Sequence, residues 1–393
     1  MEFPISNRLN RLGGYAFDEL GNKVKELEEQ GVKVIDFGVG DPRYPTPEFI
    51  RKAAQAGIDH YATAGYPSYA GSKQFRTVVA QWMQQRFNVS LNPDTEIMAT
   101  IGSKEAIFNF PEAVLNPGDM VLAPTPGYPP YRTGAAFAEG SVYLYPLLPE
   151  NAYLPDWSSF PPDVLEKARI LWISYPNSPT GVMAPDSFYR EAVAFASQHN
   201  LILASDEAYS ELYFSKTPAR SALEFGRDGV VVFQSLSKRS AMTGYRVGFL
   251  CGDQRIVTAV RKLKTNIDSG VPDFIQGAAM AALNDEEHVH EARQDYRRKR
   301  DLIINAFKEA GIEVTPPEGT IYIWQKAPNG LTDVEWAHRL LDPSIAIAVM
   351  PGSWLGSTAS DGSNPGAGFV RWALCPMMED VELAAGRIKS ALS

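Results

Sequence analysis

The sequence predicts an α/β fold with a mostly parallel central sheet in a large domain and a smaller α+β domain beside it. Two observations carry that expectation. Between about residues 95 and 250 seven short apolar runs recur (EIMAT, MVLAP, SVYLY, ILWIS, LILASD, VVVFQS and RVGFL), separated by stretches long enough for helices. Strands apolar on both faces that alternate with helices build parallel sheets covered on both sides. Beyond Asn284 the pattern changes to one charged helix followed by alternating segments, which fits a separate α+β unit.

Taken in order, Ala16 to Glu29 reads as a helix stopped by Gly31, and VKVIDFGVGDP as a short strand running into a Gly/Pro turn. The seven runs follow, with a helix from Pro185 to His199 among them. Next comes the helix EEHVHEARQDYRRKRDLIINAFKEAG, where His288 and His290 read as part of a solvated face. IEVTPPEGTIYIWQ, IAIAVMP and GFVRWAL then read as strands, and Ser357 to Gly368 (STASDGSNPGAG) as one flexible loop. The expected division is residues 1–45 as an amino-terminal arm and part of the small domain, 46–285 as the large domain, and 286–393 as the small carboxy-terminal domain.

The 393 residues suffice for two or three folding units, and 45% hydrophobic against 21% charged residues excludes a disordered or collagen-like chain. A net charge of −9 without a Lys/Arg stripe argues against nucleic acid as a partner. Cys251 and Cys375 cannot build a disulfide framework, so a reducing compartment is expected. MEFPISNRLN lacks the apolar core of a signal peptide, and no apolar run approaches the ~20 residues that span a bilayer. The expectation is a cytoplasmic protein with no membrane partner.

In open α/β sheets ligands bind beyond the carboxyl ends of the strands. ILWIS is followed by YPNSPTG with Asn177, LILAS by DEAY with Asp206 and Tyr209, and VVVFQ by SLSK with Ser235, Ser237 and Lys238, with Arg246 eight residues on. Asn177 to Asp206 and Tyr209 to Lys238 are both 29 residues apart, about one βαβ step. Singly, Asp206 reads as a helix cap, Asn177 as a turn residue, Tyr209 as a core aromatic and Lys238 as a surface lysine. Together at successive strand ends they read as a site. An amine, a carboxylate, a phenol, an amide and an arginine are what a phosphate-bearing aromatic aldehyde needs: the lysine forms a Schiff base, the carboxylate keeps a pyridine nitrogen protonated and the arginine forks onto phosphate. TIGSKEAIFNF adds a turn at Gly102, Ser103 and Lys104 whose N–H groups form an anion site at a helix start. Tyr128 in PTPGYPPY reads equally as a ring-stacking residue or as a core tyrosine.

These motifs resemble the class I/II aminotransferases, pyridoxal-phosphate enzymes of fold type I, over nearly the whole chain; SLSK-x7-R with YPNSPTG and DEAY is the specific part. The resemblance implies pyridoxal 5'-phosphate carried by Lys238, with Asp206 on the pyridinium nitrogen and Tyr209 and Asn177 on the ring oxygen. It also implies Ser103, Lys104, Ser235 and Arg246 as phosphate ligands and Tyr128 stacked on the ring. Tyr66 of GYPSYAG would come from the neighbouring subunit of a homodimer. Arg371 of FVRWAL would hold the substrate α-carboxylate with Gly40 beside it, and Tyr15 of GYAF belongs to the substrate side. The implied reaction is a two-step transfer of an amino group from an L-amino acid to a 2-oxo acid, with Lys238 as general acid/base.

SLSK also satisfies the S-x-x-K signature of penicillin-recognising serine enzymes, with Ser235 as nucleophile, but the accompanying S-D-N and K-T-G motifs do not occur. A carbon–sulfur β-lyase or an aminocyclopropane-carboxylate synthase would use the same lysine, and a regulatory protein on the same scaffold is a further alternative. GYAF, GVGDP and SLSKRSAMTGYRVGF look most like the diaminopimelate, alanine and aspartate branch, with SLSKRS-x-MTG leaning toward diaminopimelate. By position alone, Arg43 and Arg239 are candidates for reading a distal carboxylate. The histidines, His60, His199, His288, His290 and His338, give little support for metal catalysis.

Overall fold

The computed structural model describes residues 3–10, 18–63 and 65–392. Twelve strands lie in the described residues: β1 (Ile35–Asp36), β2 (Ile97–Thr100), β3 (Met120–Thr125), β4 (Ser141–Pro146), β5 (Ala168–Ser174), β6 (Ile202–Asp206), β7 (Val230–Ser235), β8 (Gly248–Gly252), β9 (Tyr322–Lys326), β10 (Ile347–Ala348), β11 (Met350–Pro351) and β12 (Phe369–Ala373). The seven apolar runs are β2 to β8, and they form one sheet in the order β2-β8-β7-β6-β5-β3-β4. β8 runs antiparallel to both its neighbours, and the other pairings are parallel. Every residue of β2, β7 and β8 is buried, because helices cover both faces and leave no place for an alternating polar row.

Two apolar cores fill the two faces of this sheet, one around Phe75, Trp82 and Phe249 and the other around Phe110, Trp172 and Phe233. A third core joins Leu20, Leu27, Ile35 and Phe37 to residues between Ile321 and Ile388, with Leu212 and Phe214 inserted from the larger unit. β1 pairs parallel with β10, so the amino-terminal strand completes the smaller unit. On this packing we propose the division into 1–45 with 286–393 and 46–285. The helix from Pro185 to His199 appears as Asp186–Gln198, flanked by Pro185 and His199 as its caps.

Two expectations need correction. The loop at 357–368 is tied down along the edge strand: Ser360 N–H donates to the Leu144 carbonyl at 2.9 Å, and its hydroxyl accepts from Leu144 N–H at 2.9 Å. The Thr125 hydroxyl donates to the Ser357 carbonyl at 2.8 Å. The glycine- and serine-rich stretch therefore covers the exposed edge of β4. His288 is not on a solvated face. It is 8% exposed, turned inward from the helix Glu287–Glu309. Among the described residues, no helix is long and apolar enough to cross a membrane, and no group of three or more His, Cys, Asp or Glu side chains is arranged to hold a metal ion.

Candidate active site

A cleft of about 400 Å³ opens beyond the carboxyl ends of β5, β6 and β7. It is lined by Gly40, Ser103, Lys104, Tyr128, Asn177, Asp206, Tyr209, Ser235, Lys238, Arg246 and Arg371. Eleven of the thirteen residues expected from the sequence thus meet in one place, for a topological reason: parallel strands deliver their last residues to the same sheet edge. Tyr66 is not among them; it stands 91% exposed outside the cleft. Tyr15 lies outside the described residues.

Lys238 sits in a four-residue helix, Leu236–Arg239, that starts at once from β7; the Ser235 hydroxyl caps it by accepting from Ser237 N–H at 3.2 Å. The Lys238 amine donates to the Gly40 carbonyl at 2.5 Å. Asp206, the last residue of β6, is 8% exposed and accepts from the Tyr131 hydroxyl at 2.6 Å and from Ala208 N–H at 3.2 Å. Burial pushes its carboxyl above the usual range, against the pull of these two donors. Among the described residues, no cationic side chain pairs with it. A buried carboxylate without a cation calls for one from a ligand, and a protonated pyridine nitrogen is such a group.

The other side of the cleft is suited to an anion. The helix Gly102–Val114 begins there after β2, and its first N–H groups have no intrahelical partner. The Arg246 guanidinium lies over Gly102, where a Cβ would collide with it. Its Nη1 donates to the Thr243 carbonyl at 2.8 Å. Gly248 is equally constrained, since a Cβ there would press on the Gln234 carbonyl and Ser103 N. Ser103, Ser235, Ser237, Thr243, Lys104 and Arg246 provide hydroxyl, N–H and cationic donors to this end of the cleft, a donor set that fits a phosphate group.

The model for the aminotransferase class I and II family matches residues 32–388. The chain belongs to the class I and II aminotransferases. It is 43% identical over 391 residues to the LL-diaminopimelate aminotransferase of Aquifex aeolicus, covering 99% of each chain. It is 40% identical to that of Gloeobacter violaceus, covering 98% of this chain and 97% of that one. Among solved structures, substrate-bound BacF from Bacillus subtilis superposes with a TM-score of 0.90 at 33% identity, covering 99% and 98% of the two chains. An aminotransferase from Neisseria meningitidis gives a TM-score of 0.92 at 30% identity, covering 99% and 100%.

In this aminotransferase the remaining cleft residues form a second cationic end. Arg371, on β12, donates from Nη2 to the Gly38 carbonyl at 2.9 Å and lies over the Tyr322 ring, 4.4 Å from its centroid. Its Nε is buried without a partner, and no carboxylate among the described residues pairs with it, so the alternative of a structural acid partner fails. Tyr322 also bonds Tyr209, hydroxyl to hydroxyl, at 2.9 Å. Burial, and then Tyr322, push the Tyr209 hydroxyl well above the usual tyrosine range. Gly40 is required because a Cβ there would overlap the Tyr322 hydroxyl. Asn177 is 1% exposed and also serves its turn, accepting from the Thr180 hydroxyl at 2.7 Å. Neither distal-carboxylate candidate lines the cleft: Arg43 pairs with Asp36 at 3.0 Å, and Arg239 is buried against Glu286.

Sequence reasoning missed Tyr131 and Tyr322. Tyr131 lies three residues after Tyr128 in the helix Pro129–Phe137, one turn on and stacked on Trp172, a spacing that was available as a signal. Nothing local marks Tyr322, whose contacts are to residues distant in sequence. Tyr131→Phe is expected to destabilise the cofactor-free aminotransferase by about 1.5–3 kcal/mol, the range for a hydrogen bond to a charged group. Denaturant unfolding measures it, and an unchanged midpoint would show that the hydroxyl contributes nothing.

Proposed function

We propose that the cleft binds pyridoxal 5'-phosphate and that this aminotransferase transfers the amino group of LL-diaminopimelate to a 2-oxo acid. The observation that carries the reading is the pairing of the Lys238 amine and the cation-free buried Asp206 in a cleft with two separate cationic ends, Arg246 and Arg371. When bound, the cofactor supplies an electron sink for charge that develops at the substrate Cα. Asp206 holds the ring nitrogen's proton, and Tyr209 and Asn177 donate to the ring oxygen. Ser103, Lys104, Ser235 and Arg246 hold the phosphate, and Tyr128 covers the ring. Lys238 anchors the cofactor and then moves the proton at the substrate Cα as general acid and base. Arg371 binds the α-carboxylate in its planar fork. Gly40 leaves room beside it, and Tyr15 contributes on the substrate side. Tyr66, fully presented to solvent, reaches the phosphate of a second copy in a homodimer.

The names of the relatives support diaminopimelate as the donor. A donor panel tests this choice: kcat/KM for LL-diaminopimelate should exceed that for alanine or aspartate by about 10²-fold or more, since the shorter donors lack the distal amino-carboxylate end and forgo its binding energy in the transition state. Equal rates for alanine or aspartate would exclude it. Arg371→Lys should lower kcat/KM for every amino donor by about 10²-fold, or ~3 kcal/mol, because a lysine cannot reproduce two parallel N–H···O bonds. A loss confined to dicarboxylic donors would move Arg371 to the distal group.

A further inference from the structure

A directed chain of hydrogen bonds runs from the surface to the segment that carries Lys238. Asp285 Oδ1 lies 2.6 Å from His288 Nδ1, and His288 Nε2 lies 2.9 Å from the Ser240 hydroxyl. Ser240 is 1% exposed and caps the carboxyl end of the Lys238 helix, its N–H donating to the Leu236 carbonyl at 3.1 Å. The Arg239 guanidinium donates to the same hydroxyl at 3.2 Å, to the Ala282 carbonyl at 2.8 Å and to Glu286 at 2.5 Å. The polarity of the chain follows from its ends. Arg239 can only donate, so the Ser240 oxygen accepts from it and spends its own proton on His288 Nε2. A carboxylate only accepts, so the His288 proton sits on Nδ1, facing Asp285. With His288 neutral every donor in the chain has an acceptor; with it protonated the Ser240–His288 bond reverses and the Ser240 proton is left without one.

A proton on Nε2 would remove the acceptor that Ser240 needs and place a second cation beside Arg239. We propose that the Asp285, His288 and Ser240 chain is a proton-sensitive strut that positions Lys238, holding its helix when His288 is neutral and releasing it when His288 is protonated. His288 is thereby a positioning residue, joining the long helix of the smaller unit to the turn next to the reacting amine. The proposal rests on the reading of Lys238 as that amine. The charged groups acting on His288 are Asp285 and Glu291 from its own segment and Arg239 from the Lys238 helix, itself paired with Glu286. The helix Glu48–His60 presents the Phe49 ring edge-on at 5.4 Å. Trp82 joins the cluster by donating to Glu286 at 2.9 Å. Burial lowers the affinity of His288 for a proton; the Asp285 hydrogen bond opposes this and Arg239 reinforces it. The folded imidazole therefore takes up its proton below about 6.5, where an unfolded one titrates. Stability attributable to His288 is constant above that pH and falls as the pH drops below it.

The test uses the holoenzyme and the cofactor-free protein, with His288→Gln, His288→Phe and Ser240→Ala. Glutamine keeps an acceptor near the Nε2 position and cannot be protonated. NMR of the imidazole in the cofactor-free protein gives the pH at which His288 titrates. In the wild type, kcat should fall on an acid limb whose midpoint shifts with that titration. His288→Gln should keep kcat within about three-fold at neutral pH and lose the limb. His288→Phe and Ser240→Ala should lower kcat about ten-fold at every pH with little change in KM, as expected of a misplaced reacting group. The proposal is overturned if His288→Gln retains the wild-type acid limb, or if both His288→Phe and Ser240→Ala fold and keep wild-type kcat. Borohydride fixation of a pyridoxyl group on a lysine other than Lys238 would instead sink the underlying reading.

Discussion

Lys238→Ala is expected to leave a folded protein that turns over amino donors about 10⁴-fold more slowly, the upper range for a positioned general acid/base, because the covalent anchor is lost with it. The amine's hydrogen bond in the structure is to the Gly40 carbonyl, and the side chain is half-buried in the cleft, so removing it leaves no buried charge unpaired. Steady-state kcat/KM together with the unfolding midpoint measures the effect. A variant within ten-fold of wild type would show that another group moves the proton.

Asp206→Asn should slow single-turnover chemistry by about 10²- to 10³-fold, equivalent to ~3–4 kcal/mol of lost electrostatic stabilisation. The cofactor-free protein should meanwhile unfold no earlier than wild type at neutral pH. The sign follows from the carboxyl's environment. Burial raises its folded affinity for a proton, so between the unfolded value near 3.9 and the higher folded one the native state binds more protons, and stability falls as the pH rises through that window. Above the folded value the wild type carries this full cost. The asparagine does not, and its carbonyl can still accept from Tyr131. Rates within a few-fold of wild type would make Asp206 a structural residue.

The large sheet was legible because its strands are buried on both faces and announce themselves as unbroken apolar runs. The site was legible because parallel strands bring successive ends together, so Asn177, Asp206 and Lys238 were informative as a set. What the sequence hid was set by long-range contacts. Tyr322 meets Tyr209 and Arg371 through sheet pairing in the smaller unit and a contact between the units. His288 looked solvated because its neighbours in sequence are charged; its partners, Ser240 and the Phe49 ring, come from remote segments. The loop at 357–368 has the composition of a free linker, and only the exposed edge of β4 gives it a partner.

The central claim, transfer of an amino group as opposed to its release, is tested most directly with LL-diaminopimelate labelled with ¹⁵N at both amino groups and unlabelled 2-oxoglutarate. The account predicts that the label appears in glutamate in step with loss of the donor, and that Lys238→Ala slows the transfer about 10⁴-fold. Label recovered as free ammonium, with none in glutamate, would contradict it.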